Sequence, residues 1–341
     1  MEISVVIPTH KRADLLRSTL SSVAAQSRTD FIREVIVSEN SSDEASKLVC
    51  QEFTSLPIRH VNRQPPLGVL RHFETVVAEA HAPWVAWVAD DDMWSRYHLA
   101  EAGRLLGQHP ETVAYVGACV LVDNESRQIW GGYGLTVDSM IQLSQQAYSD
   151  HRIWTLKQVL VETLLRTPVN LWGVVCRKQA LLKAAAGWRE SGQAWDNDRI
   201  FWCRLAREGS LVVGREVSLF YRIHAVSEAA KYVGKTAAWD AASAQTTRDV
   251  IAQADASGID LRAEWTRAWE ALSPDQRERF LQGALPGAVA GLKKIWGKDA
   301  IATGAHAAGL GHAKRVFRAV CPPVAWQALS NLRRGLTGRP S

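Results

Sequence analysis

The 341-residue chain has no apolar run approaching the roughly 18 residues that a membrane-spanning helix needs. Its first residues, MEISVVIPTHKR, hold an apolar run too short for a secretory signal, with the basic residues behind it instead of in front. Cysteine is scarce and never paired: Cys50, Cys119, Cys176, Cys203 and Cys321 are odd in number and show no CxxC spacing. That argues against a disulfide framework or a zinc site and for a reducing compartment, the cytoplasm. Charge of one sign is lacking too. Lys and Arg total 40 against 35 Asp and Glu, a net +5 that is too small to argue for nucleic acid. No internal repeat is present.

Three chemistries fall with missing motifs. The turn after the first apolar run is PTHKR, without the GxGxxG that lets a dinucleotide pyrophosphate approach the backbone. GxxxxGK[ST], which cradles phosphates, and GxSxG, which presents a nucleophilic serine, are also absent.

What is present begins with a composition that can bury a core, 47% hydrophobic and 22% charged. Short β-branched runs at 3–7, 34–38, 58–61 and 84–89 read as strands, and helical periodicity follows at 14–23, 41–53 and 69–80. This alternation predicts βαβ units and a parallel sheet. Further strands are expected at 113–122, 128–131, 171–176 and 211–220. Helices are expected at 178–186 and 197–207, and 131–166 is expected to be irregular, turning helical around 156–165. From about 229 the chain turns Ala-rich and helical.

Parallel sheets bind ligands beyond the carboxyl ends of their strands. Pro8-Thr9-His10, Glu39-Asn40-Ser41 and Asp90-Asp91-Asp92 all fall there, so three segments converge on one crevice. Three adjacent carboxylates repel one another. They suit a hard divalent cation, Mg2+ or Mn2+, which takes one or two carboxylates plus substrate phosphates. On an extended segment, alternation sends Asp90 and Asp92 to one side and Asp91 to the other. A solvated loop with Asp as turn former or helix cap explains the triplet equally well.

The order of the segments goes further. SVVIPTHKRADLLRSTLSSVAAQS, EVIVSENSSDEA, WVADDDMW, WDNDRIFWCRLAREG and LFYRIH together resemble glycosyltransferase family 2 over about residues 3–228. The resemblance implies an α/β, GT-A fold with a mostly parallel sheet, a nucleotide-sugar half at 1–122, an acceptor half at 123–228 and a helical, basic extension at 229–341. It implies that Pro8, Thr9 and Arg12 line the nucleotide pocket, and that Glu39, where the family usually has Asp, accepts a hydrogen bond from the base. Arg71 would reach base or diphosphate. Asp90 would sit near the ribose with Asp91 beside it, and Asp92 with Asp90 would hold the metal, with His224 near metal or diphosphate. Asp198 matches the second member of the family's Glu-Asp pair and would be the general base. Asn197 replaces the first member, which leaves Asp196 a rival, although Asp196 also suits a helix cap.

The implied reaction is inverting transfer of a sugar from a nucleotide diphosphate, a UDP-sugar first among the candidates. The acceptor would be a glycan or lipid-linked saccharide in cell-surface polysaccharide assembly. Two other readings compete: a catalytically inactive GT-A domain that binds nucleotide or glycan, and a sugar nucleotidyltransferase, which PTHKR disfavours for want of a Gly-rich loop. Trp130, Tyr133, Trp154 and Trp172 are candidates for the acceptor face or for the core. From 283 onward nine Lys and Arg face a single acid, Asp299, among apolar residues such as Trp296, Phe317 and Trp326. That pattern suits a peripheral contact with an anionic membrane on its cytoplasmic side, or a helical extension packed on the domain.

Overall fold

The computed structural model describes residues 1–128, 149–167, 172–186, 197–224, 236–282 and 284–301. Nine strands form one mixed sheet: β1 (Ile3–Thr9), β2 (Ile32–Glu39), β3 (Ile58–Asn62), β4 (Trp84–Trp87), β5 (Met93–Trp94), β6 (Thr112–Val122), β7 (His151–Trp154), β8 (Val174–Arg177) and β9 (Ser210–Arg222). The order is β3-β2-β1-β4-β8-β6-β9-β5, with β7 also paired to β9. β1, β2, β3 and β4 are parallel, as are β6 and β9, whereas β8 runs antiparallel between β4 and β6.

The parallel part follows from composition. β1 is buried along nearly its whole length, and a strand covered on both faces must be apolar at every position rather than at alternate ones. Helices α1 (Ala13–Ala24), α2 (Ala45–Gln51) and α3 (Val69–Ala78) return the chain between these strands. On α1, Leu16, Leu20 and Val23 share a face and are fully buried, each contributing roughly 1.5–3 kcal/mol relative to exposure. The chain leaves β1 toward β2 and β3 on one side and β4 lies on the other. The switch point therefore opens a crevice at the carboxyl ends of β1 and β4.

Helix α4 (His98–Gln108) and strands β5 and β7 are not among the elements expected from sequence. β5 is two residues long and exists through its pairing with Leu219 and Phe220 of β9. β7 pairs with 211–214 of the same strand, inside a stretch expected to be irregular. The expected strand at 171–176 lies at Val174–Arg177, and of 128–131 only Gln128 is described, in a single bridge to Val122. Helices α5 (Leu156–Thr163), α6 (Lys178–Ala185) and α7 (Asn197–Glu208) complete the domain. Thr155 and Gln158 cap α5 reciprocally.

The helices α8 (Thr236–Asp255), α9 (Leu261–Glu270), α10 (Pro274–Gln282) and α11 (Pro286–Trp296) pack onto this domain. α11 meets α8 so closely that a Cβ on Gly287 would lie 2.1 Å from the Asp240 carbonyl oxygen. The Leu285 N–H donates to Leu165 O at 2.8 Å. Arg199 of α7 is fully buried and donates to Thr163 O, Leu164 O, Ser243 O and Thr247 Oγ1, tying α7 to α5 and α8. Phe280 and Leu292 are buried in this packing; residues 302–341 lie outside the described residues. No helix among the described residues is long and apolar enough to cross a membrane. The four described cysteines are buried and unpaired.

Candidate active site

β1 ends at Thr9, β2 at Glu39, and the segment after β4 carries the acidic triplet, so register brings all three together: Thr9 pairs with Glu39, and β1 lies beside β4. The triplet is not extended. The Asp92 N–H donates to Ala89 O at 3.2 Å, closing a turn over Asp90 and Asp91. The turn breaks the alternation expected from sequence: Asp90 and Asp91 stay together and Asp92 departs.

Asp90 is 4% exposed and accepts from Thr9 Oγ1 at 2.7 Å, from the His10 N–H at 3.3 Å and from Arg12 Nη1 at 3.0 Å. The same Arg12 nitrogen donates to Asp91 Oδ2 at 2.8 Å, and His224 Nε2 approaches that oxygen at 2.9 Å. No described residue bonds the other Asp91 oxygen. Asp92 is 1% exposed; its Oδ1 accepts from the Arg222 N–H at 2.8 Å, its carbonyl accepts from Thr19 Oγ1 at 2.7 Å, and its Oδ2 is buried without a partner. Burial, together with the charge of Asp91, pushes Asp90 up to about 6 even with Arg12 beside it, and pushes Asp92 well above the usual carboxylate range. Burial first, and then the neighbouring carboxylate, disfavours the ionised form of both groups.

The Asp92 carboxylate meets the end of β9 through Oδ1 and keeps Oδ2 without a partner, and Asp91 likewise keeps one oxygen that no described residue bonds. Glu39 sits at the end of β2 beside Thr9. It is fully buried; Oε1 accepts from Ser41 Oγ at 2.6 Å and the Lys11 N–H at 3.3 Å, while Oε2 has no partner. Glu39 therefore braces the loop at Lys11, whose φ of 55° is the left-handed conformation uncommon outside glycine. Pro8 is half-buried beside Ser38, and Arg71 is exposed in the first turn of α3, its carbonyl accepting from Thr75 Oγ1 at 2.7 Å.

Asp198 lies in the first turn of α7, half-buried, one turn from Phe201 on the same face. Phe201 packs edge-on against Trp87, the last residue of β4, at 6.2 Å between ring centroids. That packing carries the start of α7 toward the end of β4. Asp196, Trp130 and Tyr133 lie outside the described residues. Trp154 is buried and belongs to the core, not to an acceptor face, whereas Trp172 is half-buried and its carbonyl accepts from Trp94 Nε1 at 3.3 Å. Sequence reasoning quoted Tyr221-Arg222-Ile223-His224 yet gave Arg222 no role; only its tertiary contacts reveal one.

Among the described residues no three His, Cys, Asp or Glu side chains form a ready-made metal cage. The donor set nonetheless fits a hard divalent ion that takes one or two carboxylates and completes its shell with phosphate oxygens and water.

A crevice at the β1/β4 switch point, lined by an acidic turn and backed by an antiparallel strand, defines the GT-A class. Solved structures share the architecture. TarS of S. aureus, residues 1–349 in complex with UDP-GlcNAc, aligns with a TM-score of 0.55 at 14% identity over 88% of this chain and 89% of that one. The mannosyltransferase PcManGT from Pyrobaculum calidifontis, in complex with GDP-Man and Mn2+, aligns at 0.50 and 17% identity over 99% of this chain and 88% of that one. Residues 4–158 match the family described as Glycosyl transferase family 2. Over that stretch the chain is similar to the family, and the solved structures show that it shares their fold. Curated relatives include the uncharacterised proteins Rv1520 of Mycobacterium tuberculosis and Mb1547 of Mycobacterium bovis, each 31% identical over 114 residues, or 32% of this chain. The match spans about a third of the length of those relatives.

Proposed function

We propose that the chain transfers a sugar from a UDP-sugar to a glycan or lipid-linked saccharide in cell-surface polysaccharide assembly, inverting the anomeric carbon. The observation that carries this reading is the Arg12–Asp90–Asp91–His224 cluster at the switch point, with one Asp91 oxygen uncommitted and the Asp92 Oδ2 buried beside it without a partner. A divalent ion supplies the positive charge these carboxylates lack, and the nucleotide diphosphate its phosphate ligands. Asp92 and Asp91, with Asp90 and His224 beside them, would hold Mn2+ or Mg2+. When bound, the ion stabilises charge on the departing diphosphate. PcManGT holds Mn2+ with its donor and TarS holds a UDP-sugar, which supports the same use here.

Thr9, the His10 N–H and Arg12 fix the Asp90 carboxylate toward the ribose. Pro8 walls the nucleotide pocket, and exposed Arg71 can swing toward the diphosphate. Glu39 favours uracil. With Oε1 already taken by two donors, one carboxylate oxygen remains, which suits the single N3–H of uracil better than the paired N1–H and N2–H of guanine. Asp198 takes the proton of the acceptor hydroxyl as that oxygen attacks C1 from the face opposite the diphosphate. The C1–O bond breaks, the diphosphate leaves, and one displacement inverts the centre. The basic segment beyond 301 would bring the enzyme to an anionic membrane surface.

The test is turnover on UDP-, GDP- and dTDP-sugars with and without Mn2+, with the product anomer read by NMR. The reading expects metal-dependent, inverted product from a UDP-sugar. Metal-independent turnover or retained configuration would sink it.

A further inference from the structure

Arg222 ends β9, is 2% exposed, and reaches three segments at once. Its N–H donates to Asp92 Oδ1 at 2.8 Å and its Nε to the Asp91 carbonyl at 2.9 Å. Nη1 donates to the carbonyls of Asp123 and Asn124 at 3.0 and 2.7 Å. Nη2 donates to Ser126 Oγ at 3.1 Å and lies 3.6 Å from Met93 Sδ. The guanidinium forms no ion pair with a described residue. Burying a charge that way costs several kcal/mol, so a neutral strut would be cheaper if holding segments together were its whole task. The positive charge also opposes the upward shift of Asp92.

We propose that Arg222 is a positioning residue that holds the acidic turn at 89–92 and the loop at 123–126 as one unit. The Asp91 carbonyl hangs on the Arg222 guanidinium, and the Asp92 carboxylate on its backbone N–H, so the Asp91 carboxylate is presented to the donor only while the guanidinium keeps its grip. The loop at 123–126 leaves β6 at the start of the acceptor half. One guanidinium therefore couples the position of the donor's phosphates to the frame on which the acceptor side is built. The planar fork is required: donors leave it on two sides, whereas a lysine ammonium at the end of a flexible stem cannot span both.

This inference rests on the proposed donor reading, and two measurements keep the two apart. Arg222→Lys retains charge and loses the fork; Arg222→Gln loses both. Hydrogen exchange of the folded variants is expected to rise together at 89–92 and 123–126. The Mn2+ activation constant and the donor KM of Arg222→Lys are expected to rise about tenfold or more, the scale for losing a partner behind a metal-binding side chain. A merely structural role would lower the melting temperature and leave those constants unchanged in the folded fraction. Wild-type constants in Arg222→Lys, or exchange that rises in one segment without the other, would overturn the proposal. A wild-type enzyme without metal-dependent turnover would refute the donor reading instead, and exchange would still decide the coupling.

Discussion

His98 offers a quantitative test of how the triplet's scaffold is held. It begins α4, six residues after Asp92, and is 1% exposed with neither ring nitrogen hydrogen-bonded. Its ring lies 4.5 Å from that of Trp94 in β5 and 5.8 Å from that of Tyr115 in β6. Burial alone pushes its pKa down to about 3. The unfolded chain keeps His98 near its ordinary value of about 6.5 and so binds the proton first as pH falls. Stability contributed by neutral His98 is complete above pH ~6.5, declines as pH drops below it, and stops declining near pH ~3. At pH 5 the loss is about RT ln(1 + 10^1.5), or ~2 kcal/mol. His98→Phe keeps an aromatic ring between the same neighbours and removes the titration. Urea unfolding of both proteins at pH 7.5 and pH 5 is expected to show the wild type losing about 2 kcal/mol more than the variant. His72, pushed down to about 4 by burial, loses stability over the same range in both proteins and cancels. Equal losses in wild type and variant would refute the reasoning, because they would mean His98 reaches water or a partner when protonated.

Gly287→Ala places a Cβ against the backbone of Asp240, which no rotamer can relieve. It is expected to cost about 3 kcal/mol in urea unfolding, whereas Gly107→Ala, with nothing within 4 Å in α4, is expected to be neutral or stabilising by up to ~1 kcal/mol. Asp198→Asn is expected to bind donor like the wild type and lose about 10²–10⁴-fold in turnover, measured by product release. Wild-type turnover would move the base to Asp196.

The nucleotide half was legible because its strands are buried on both faces: ISVVI and EVIVS carry near-continuous β-branched cores, interrupted only by Ser4, Glu34 and Ser38, and such runs have few alternatives. β5 and β7 were not, since two and four residues carry no periodicity and both exist by virtue of β9. Helix α4 was not legible because His98, a polar residue by type, is part of its buried face and interrupts the apolar periodicity. Within the site, sequence order brought Thr9, Arg12, Asp90, Asp91 and His224 into one crevice. It missed the arrangement of the triplet because alternation assumes an extended chain and the triplet is a turn. It could not see Arg222, whose partners lie about 100 and 130 positions away.

Titration calorimetry of UDP with the full chain, with and without Mn2+, for wild type and Asp91→Asn, tests the central claim most directly. The account predicts metal-dependent binding that weakens about tenfold or more in Asp91→Asn. Binding that ignores both the metal and Asp91, or no nucleotide binding at all, would contradict it.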